Sequence, residues 1–358
     1  MTLSRAIRFS RRAPLVTLLL LLTCPPAAFG DVQPTVDRIN SLPVKDRESL
    51  LLDAAKRQGV VSWYTTMQPQ NAQEVLRLAR ERYPFLTVEV ARLGHERLVN
   101  RLVTEYRAGK FTPDVITAPS PFVTALRQSG VIARSTAPFR QRLREGLKDG
   151  EGWVNPVYTN LYVMFYNTTL VKSEELPKSY EDLLHPRWRG RLAIDQEDVE
   201  WLAALIEVMG REKAIEFAKK LAAQKPSLRR GHTLLGQLVA AGEAALFPDQ
   251  YLHSALTVKK AGAPVEMYFI EPVLTQASTA VWVARKAPRP EAALLFIDFL
   301  FSKEVQTVIA GLGRLPGRSD VTIPYALDGK RLHFLSTEWV GEKFTEVNDL
   351  FGQIFTGR

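Results

Sequence analysis

The chain has a single cysteine, Cys24, in 358 residues. It lies inside an N-terminal stretch that reads as an export signal, so the remainder is expected to fold without a disulfide, a thiol nucleophile or a cysteine-held metal. Long apolar runs are missing too: the one at residues 15–22 is too short to span a bilayer. Nor is there a catalytic signature. No G-x-S-x-G elbow and no phosphate-loop pattern occurs, and His95-Glu96 is followed by Val99 where a zinc protease needs its second histidine. The remaining histidines, His185, His232, His253 and His333, show no metal-ligand spacing. A formal charge of +9, with four of the arginines in the first twelve residues, does not point to nucleic acid as a partner.

What is present begins with Arg5, Arg8, Arg11 and Arg12, then the apolar run, then Ala28-Phe29-Gly30 ahead of Asp31. Basic, apolar and small residues in that order make a secretory signal with a cut expected after Gly30, and hence a periplasmic protein. Ser10-Arg11-Arg12 leaves the twin-arginine and general export routes both open. Cleavage removes four arginines and no acid, leaving +5 on 328 residues, enough chain for one large or two medium domains to bury a core.

Residues 44–58 carry Leu50, Leu51 and Ala54 at helical spacing and stop at Gly59. Strand and helix patterns then alternate: a strand at 60–64, a helix through Ala72, Val75, Leu76 and Ala79, and a strand at 85–90 with Leu86, Val88 and Val90 on one face. A helix through Leu98, Leu102 and Tyr106, a strand at 114–117 and a helix through Phe122 and Leu126 follow. Such alternation predicts parallel strands joined by crossovers, with ligands gathering at the strands' carboxyl ends. Those ends carry Tyr64, Thr65 and Thr66, then His95, then Ser120. A second unit is expected from the strand-like run 158–166, which starts at Tyr158, through helices near 198–209, 211–224 and 233–241 and a strand at 244–247. A strand at 279–284 and one long helix from Pro290 to about Ala310 come after it.

The stretches Val60-Val61-Ser62-Trp63-Tyr64-Thr65-Thr66, Glu105-Tyr106-Arg107-Ala108-Gly109-Lys110, Pro113-Asp114-Val115, Ala241-Gly242-Glu243, Lys260-Ala261-Gly262-Ala263-Pro264-Val265 and the 291–300 run stand in an order that resembles one family. It is that of the periplasmic solute-binding proteins of ATP-driven importers, in the branch that includes ferric-ion binders, and the match covers residues 45–321. The resemblance implies an α/β fold of the two-lobe periplasmic-binding type (type II), each lobe a mainly parallel sheet flanked by helices, with a hinge of crossing strands. It places a helical lead at 31–57, lobe one at 58–160 plus 278–325 and lobe two at 161–277 plus 326–358. It implies a monomer that catalyses nothing, carries a small molecule or metal ion as cargo, and is read by inner-membrane permease subunits. A sensor subunit presenting its ligand to a membrane receptor shares all these features, and a secreted hydrolase is the enzyme alternative.

Ferric binders of the family hold the metal with two adjacent tyrosines beyond the Ala-Gly-Glu strand. Here that segment reads Asp249-Gln250-Tyr251, with one tyrosine and an amide beside it. Tyr251, Asp249 and Tyr64, with His95 or Glu96 facing them, form the candidate Fe(III) set, since a hard cation favours phenolate and carboxylate oxygen; no resident cofactor is implied. Two further surfaces compete. The acidic stretch 195–201 offers Asp195 and Trp201 to a cation, or Asp195 simply caps the following helix while Glu197 and Glu200 favour its dipole. The basic stretch 228–235 puts Thr233 at a helix start beside Arg229 and Arg230, which with Thr65, Thr66 and Ser120 suits a small anionic organic solute. Anion and metal both remain open at this point.

Overall fold

The computed structural model describes residues 30–325, 327 and 329–357. The expected export signal and Cys24 lie outside the described residues, Gly30 apart. Among the described residues two helices come first, α1 at Gln33–Asn40 and α2 at Val44–Gln58, the second ended by Gly59 in the left-handed region at φ 68°. Strand β1, Val60–Thr65, leads through α3, Pro69–Arg82, to β2, Thr87–Arg92, and through α4, His95–Arg107, to β3, Val115–Pro119. After α5, Val123–Gln128, come the short β4, Ile132–Ala133, and β5, Pro156–Thr159.

The run 158–166 is not one strand. It breaks at Asn160-Leu161, and β6, Tyr162–Asn167, belongs to a different sheet from β5. The second sheet also holds β9, Leu246–Tyr251, and β10, Val265–Tyr268, and a separate parallel pair joins β7, Ala193–Asp195, to β8, Ser227–Arg229. Around them lie α6, Val199–Met209, α7, Arg211–Ala223, α8, His232–Ala240, and α9, Leu252–Lys260. Beyond β11, Val273–Leu274, the chain returns to the first sheet as β12, Thr279–Ala284, and then forms α10, Pro290–Leu300, α11, Lys303–Gly311, and β13, Leu315–Pro316. It ends with β14, Leu332–His333, paired to β11, and with α12, Thr337–Phe351.

The first sheet runs β13-β5-β12-β3-β1-β2, with β4 against β12. Only its β3-β1-β2 part is parallel, because β12 re-enters antiparallel to both β3 and β5. The β10-β6-β9 sheet is antiparallel throughout. The chain thus forms two α/β units, with strand direction mixed rather than mainly parallel. Val90 faces outward, as the edge position of β2 allows.

Two local departures from expectation have clear causes. The strand expected to stop at Phe247 continues through Pro248 to Tyr251. Proline lacks the N–H a central strand needs, but β9 is an edge strand and its register with β6 shifts at that point, so nothing is lost. The single helix expected at 290–310 breaks after Leu300, where the Ser302 hydroxyl accepts the Val305 N–H at 3.3 Å and starts α11 as an N-cap.

The first core packs β1, β3 and β12 with α10 and also takes in Val36, Ile39, Leu51 and Ala55 of the lead helices. Arg47 and Asp298 form an ion pair that ties α2 to α10. A second core gathers α6, α7 and the buried face of α12, and a third lies under β6 and β9. The segments that cross between the sheets are fastened to each other. Gln276 donates its backbone N–H to the Asn160 carbonyl at 3.0 Å, accepts the Asn160 amide at 2.5 Å, and its own carbonyl accepts the Thr159 hydroxyl at 2.7 Å.

Candidate functional site

A cleft of about 720 Å³ opens between the two sheets. From the first unit, Thr66, Arg92, His95, Tyr158 and Arg314 line it; from the second, Glu200, His232, Thr233, Tyr251 and His253 do so, with Gln276 at the crossing. Three helices start at its walls, α4 after Gly94, α8 after Gly231 and α9 after Tyr251, and none has a side-chain cap. First-turn N–H groups lack intrahelical partners, so an uncapped start offers donors and a partial positive charge to a guest.

The best-connected side chain in the cleft is His232. Its Nδ1 lies 3.0 Å from Asp195 Oδ2 and its Nε2 3.0 Å from Asp198 Oδ2, so both nitrogens donate and the ring is an imidazolium. Burial alone would push its pKa down, but the two carboxylates outweigh it and hold the group at about 10. Burial likewise works to raise Asp195, yet His232 and the N–H groups of Glu197 and Gly231 keep it below the ordinary carboxylate value. Asp198 also accepts the Tyr162 hydroxyl at 2.7 Å and the Trp201 N–H at 3.2 Å, which makes Asp198, not Asp195, the cap of α6.

Tyr251 stacks on this imidazolium, with ring centroids 3.6 Å apart at 13°. Its hydroxyl takes a hydrogen bond from the Gln276 amide, and burial, with the charges of Asp198 and Glu200, pushes the phenol well above its usual value. Glu200 is pushed up to about 8 by burial and by Asp198, and accepts the Ala277 N–H at 3.0 Å. His253 continues the stack beyond Tyr251; burial, then Arg314 and His232, hold its imidazole well below the usual value. Its Nδ1 is buried and has no hydrogen-bond partner among the described residues.

Arg314 is the group that sequence reading missed most completely. Only 4% exposed, it stands at the start of β13 beside the crossing strands. It donates to Asn160 and, with the Asn71 amide turned oxygen-inward, to Asn71 Oδ1 from Nη2 and Nε at 3.2 and 3.1 Å. Its guanidinium covers the Tyr158 ring at 4.6 Å. Among the described residues no carboxylate lies within ion-pair distance of it, although buried arginines are ordinarily paired.

Of the residues singled out from sequence, Thr66, His95, Glu96, Tyr158, Glu200, Thr233 and Tyr251 line the cleft. Tyr64, Thr65, Ser120, Asp195, Trp201 and Asp249 are buried in the walls behind it, while Glu197 and Arg230 pair at the surface. Tyr64 is buried and its hydroxyl accepts from Arg101 at 2.9 Å; Thr65 accepts from the Thr117 hydroxyl at 2.6 Å; Ser120 bonds Thr337 at 2.7 Å. Trp201 sits in the second core. Asp249 is fully buried, accepts the Asp195 N–H at 3.1 Å, and has its carboxyl pushed well above the usual carboxylate range by burial and by Asp198. The set Tyr251, Asp249 and Tyr64 therefore does not meet at the cleft surface. Gln250 also turns inward, donating to the His232 carbonyl at 3.1 Å and accepting the Tyr251 N–H at 2.8 Å.

The acidic and basic stretches that compete in the sequence are one cluster here. Parallel pairing of β7 with β8 sets Asp195 against Arg229, so the loops that follow meet: Asp195 and Asp198 take His232, and Glu197 pairs with Arg230 at 2.8 Å. Asp198, His232 and Asp249 each bring one ligand atom within 4.8 Å of the others, a grouping a metal could use. With both ring nitrogens of His232 already committed to carboxylates, a metal would have to displace a tightly held proton.

Residues 110–340 match the family model described as bacterial extracellular solute-binding protein. The chain belongs to that family. Iron uptake protein A1 of Synechocystis sp. is 32% identical over 163 residues, which cover 41% of this chain and 45% of that protein, so the match spans less than half of this curated relative. Among solved structures, iron-bound HitA from Pseudomonas aeruginosa superposes with a TM-score of 0.71 at 19% identity, covering 82% of this chain and 99% of that one. AfuA from Actinobacillus pleuropneumoniae with fructose-6-phosphate bound gives 0.68 at 19% identity, over 83% and 99%. At those identities the likeness is one of fold, the two-lobe periplasmic-binding type.

Proposed function

We propose that this chain is the extracytoplasmic receptor of an ATP-driven importer, a monomer that takes a small anionic organic solute into the cleft and presents it to membrane permease subunits. The division expected from sequence, 58–160 plus 278–325 against 161–277 plus 326–358, is the working definition of the halves that close on the solute. The observation that carries the anion reading is Arg314, a buried guanidinium facing the cleft with only amide and aromatic partners. A phosphate, phosphonate or carboxylate would supply the missing counter-charge through paired charge-assisted hydrogen bonds. The uncapped starts of α4, α8 and α9 support the same sign of charge, and Thr66, Gln276 and the free Nδ1 of His253 are candidate contacts for the rest of the solute.

Fe(III) as cargo is the second reading, favoured by the phenol of Tyr251 in the cleft and by the iron proteins among the relatives. Against it stand the inward-turned Gln250 and the imidazolium stacked on Tyr251, which already places a positive charge beside the phenol. Thermal-shift titration with phosphate esters, phosphonates, carboxylates and ferric salts separates the two. A solute at a hundredfold excess over its Kd adds about 2.7 kcal/mol of stability. Stabilisation by an organic anion supports the proposal; stabilisation by ferric ion alone, with a visible tyrosinate band lost in Tyr251→Phe, replaces it.

A further inference from the structure

The C-terminal helix α12 touches both halves of the molecule. Ser336 caps it by accepting the Trp339 N–H at 3.2 Å, and Val340, Val347 and Phe351 bury one side of it in the second core against α6. Arg211 of α7 fastens its middle to the same half through Glu346 at 2.6 Å. The adjoining side faces the first unit. There the Thr337 hydroxyl bonds Ser120 at 2.7 Å, and Gly341 lies so close to the 120–122 turn that a Cβ would stand 3.2 Å from the Pro121 carbonyl oxygen. One turn further, Phe344 and Thr345 line the cleft together with Pro121 and Phe122, and Phe344 is 43% exposed, large for an aromatic ring with no functional partner.

We propose that α12 is the clasp and third wall of the cleft: rooted in the second half, it holds the first through Thr337 and Gly341, and Phe344 covers the cleft mouth where solute enters. As a device of solute capture this rests on the reading given above. The physical contrast supports it: the anchored side is secured by large apolar groups, whereas the side facing Ser120 and Pro121 has one hydroxyl pair and a glycine, a contact that parts with little apolar surface to re-expose. The cleft then has three walls, two from the sheets and one from α12, and solute entry requires the Thr337–Ser120 and Gly341–Pro121 contacts to separate.

The test uses solute-free protein. In Gly341→Leu the added side chain cannot fit against Pro121, while leucine is the better helix former, so a loosened contact cannot be ascribed to a frayed helix. Amide exchange in the 118–124 segment and in the first two turns of α12 is expected to rise together by tenfold or more, with the radius of gyration increasing. Gly341→Ala should give a smaller rise and Thr337→Val, which removes only the hydroxyl bond, about threefold, while exchange at 347–351 stays unchanged. Unaltered exchange at 118–124 in both Gly341→Leu and Thr337→Val would overturn the clasp. Because no solute is present, that result would leave the anion reading standing, and a wrong anion reading would leave this measurement unaffected.

Discussion

Replacing Arg314 by methionine separates a binding arginine from a structural one, because the two roles predict opposite signs. In the solute-free protein the substitution leaves the oxygens of the buried Asn71 and half-buried Asn160 without their donor, a loss of about 1–3 kcal/mol. It also removes a guanidinium that is 4% exposed and has no carboxylate within ion-pair distance among the described residues, and burying an unpaired ion costs several kcal/mol. Methionine keeps the packing against Tyr158. The net change is close to zero or stabilising, so the melting temperature of solute-free Arg314→Met should equal or exceed that of the parent. Binding should move the other way: two charge-assisted hydrogen bonds to an anion are worth about 3 kcal/mol together, or roughly a hundredfold in Kd. Differential scanning calorimetry without solute, and titration calorimetry with the organic anion that most stabilises the parent, read the two effects. A drop in melting temperature beyond about 6 °C with unchanged affinity would show Arg314 to be a structural tie and refute the reasoning.

Tyr251→Ala removes both the ring that stacks on His232 and the hydroxyl in the cleft, and should weaken solute binding at least tenfold, about 1.4 kcal/mol, by titration calorimetry. Asp198→Ala strips His232, Tyr162 and the start of α6 of a shared acceptor and should cost about 3–5 kcal/mol in urea unfolding; a loss under 1 kcal/mol would mean the cluster is not a unit. His232 keeps its proton to about pH 10 when folded against about 6.5 unfolded, and Glu200 to about 8 against 4.5. Over both intervals the folded chain binds the extra proton, so stability that is complete at the acid end is lost as pH rises toward 8 and then 10. Asp195, held below its ordinary value, acts in the opposite direction only in acid. Unfolding curves should show this alkaline decline, flattened below pH 8 in Glu200→Gln and above it in His232→Gln; a parent curve flat from pH 6 to 10 would refute the assignment.

Helices α2 to α8 and the first three strands were legible because their apolar residues recur at 3.6 or 2 positions, as in Ala72, Val75 and Ala79 of α3 or the buried run of β1, whereas α1, α9 and α12 were not read. Local pattern could not show that the run 158–166 serves two sheets, since both halves are apolar and only pairing distinguishes them. Pro248 read as a strand end because edge position is a tertiary property. The Ser302 cap at the break between α10 and α11 was a local signal available and not taken. In the cleft, Tyr251 could be picked out because it lies beyond the strand read at 244–247, and Thr233 because it stands at a helix start, but neutralisation of 195–198 by His232 depends on two loops 34 residues apart meeting over the β7–β8 pair. Arg314 carried no motif; what sets it apart is the absence of a partner acid among the described residues, which only three-dimensional structure displays.

Titration of the purified protein with organic anions and with ferric ion, each followed by calorimetry and visible absorption, bears most directly on the central claim. The expected result is a colourless, saturable complex with a phosphate, phosphonate or carboxylate solute that is lost in Arg314→Met and retained in Tyr251→Phe to within a few fold. A coloured ferric complex, abolished in Tyr251→Phe and indifferent to Arg314, with no organic anion bound, would contradict it.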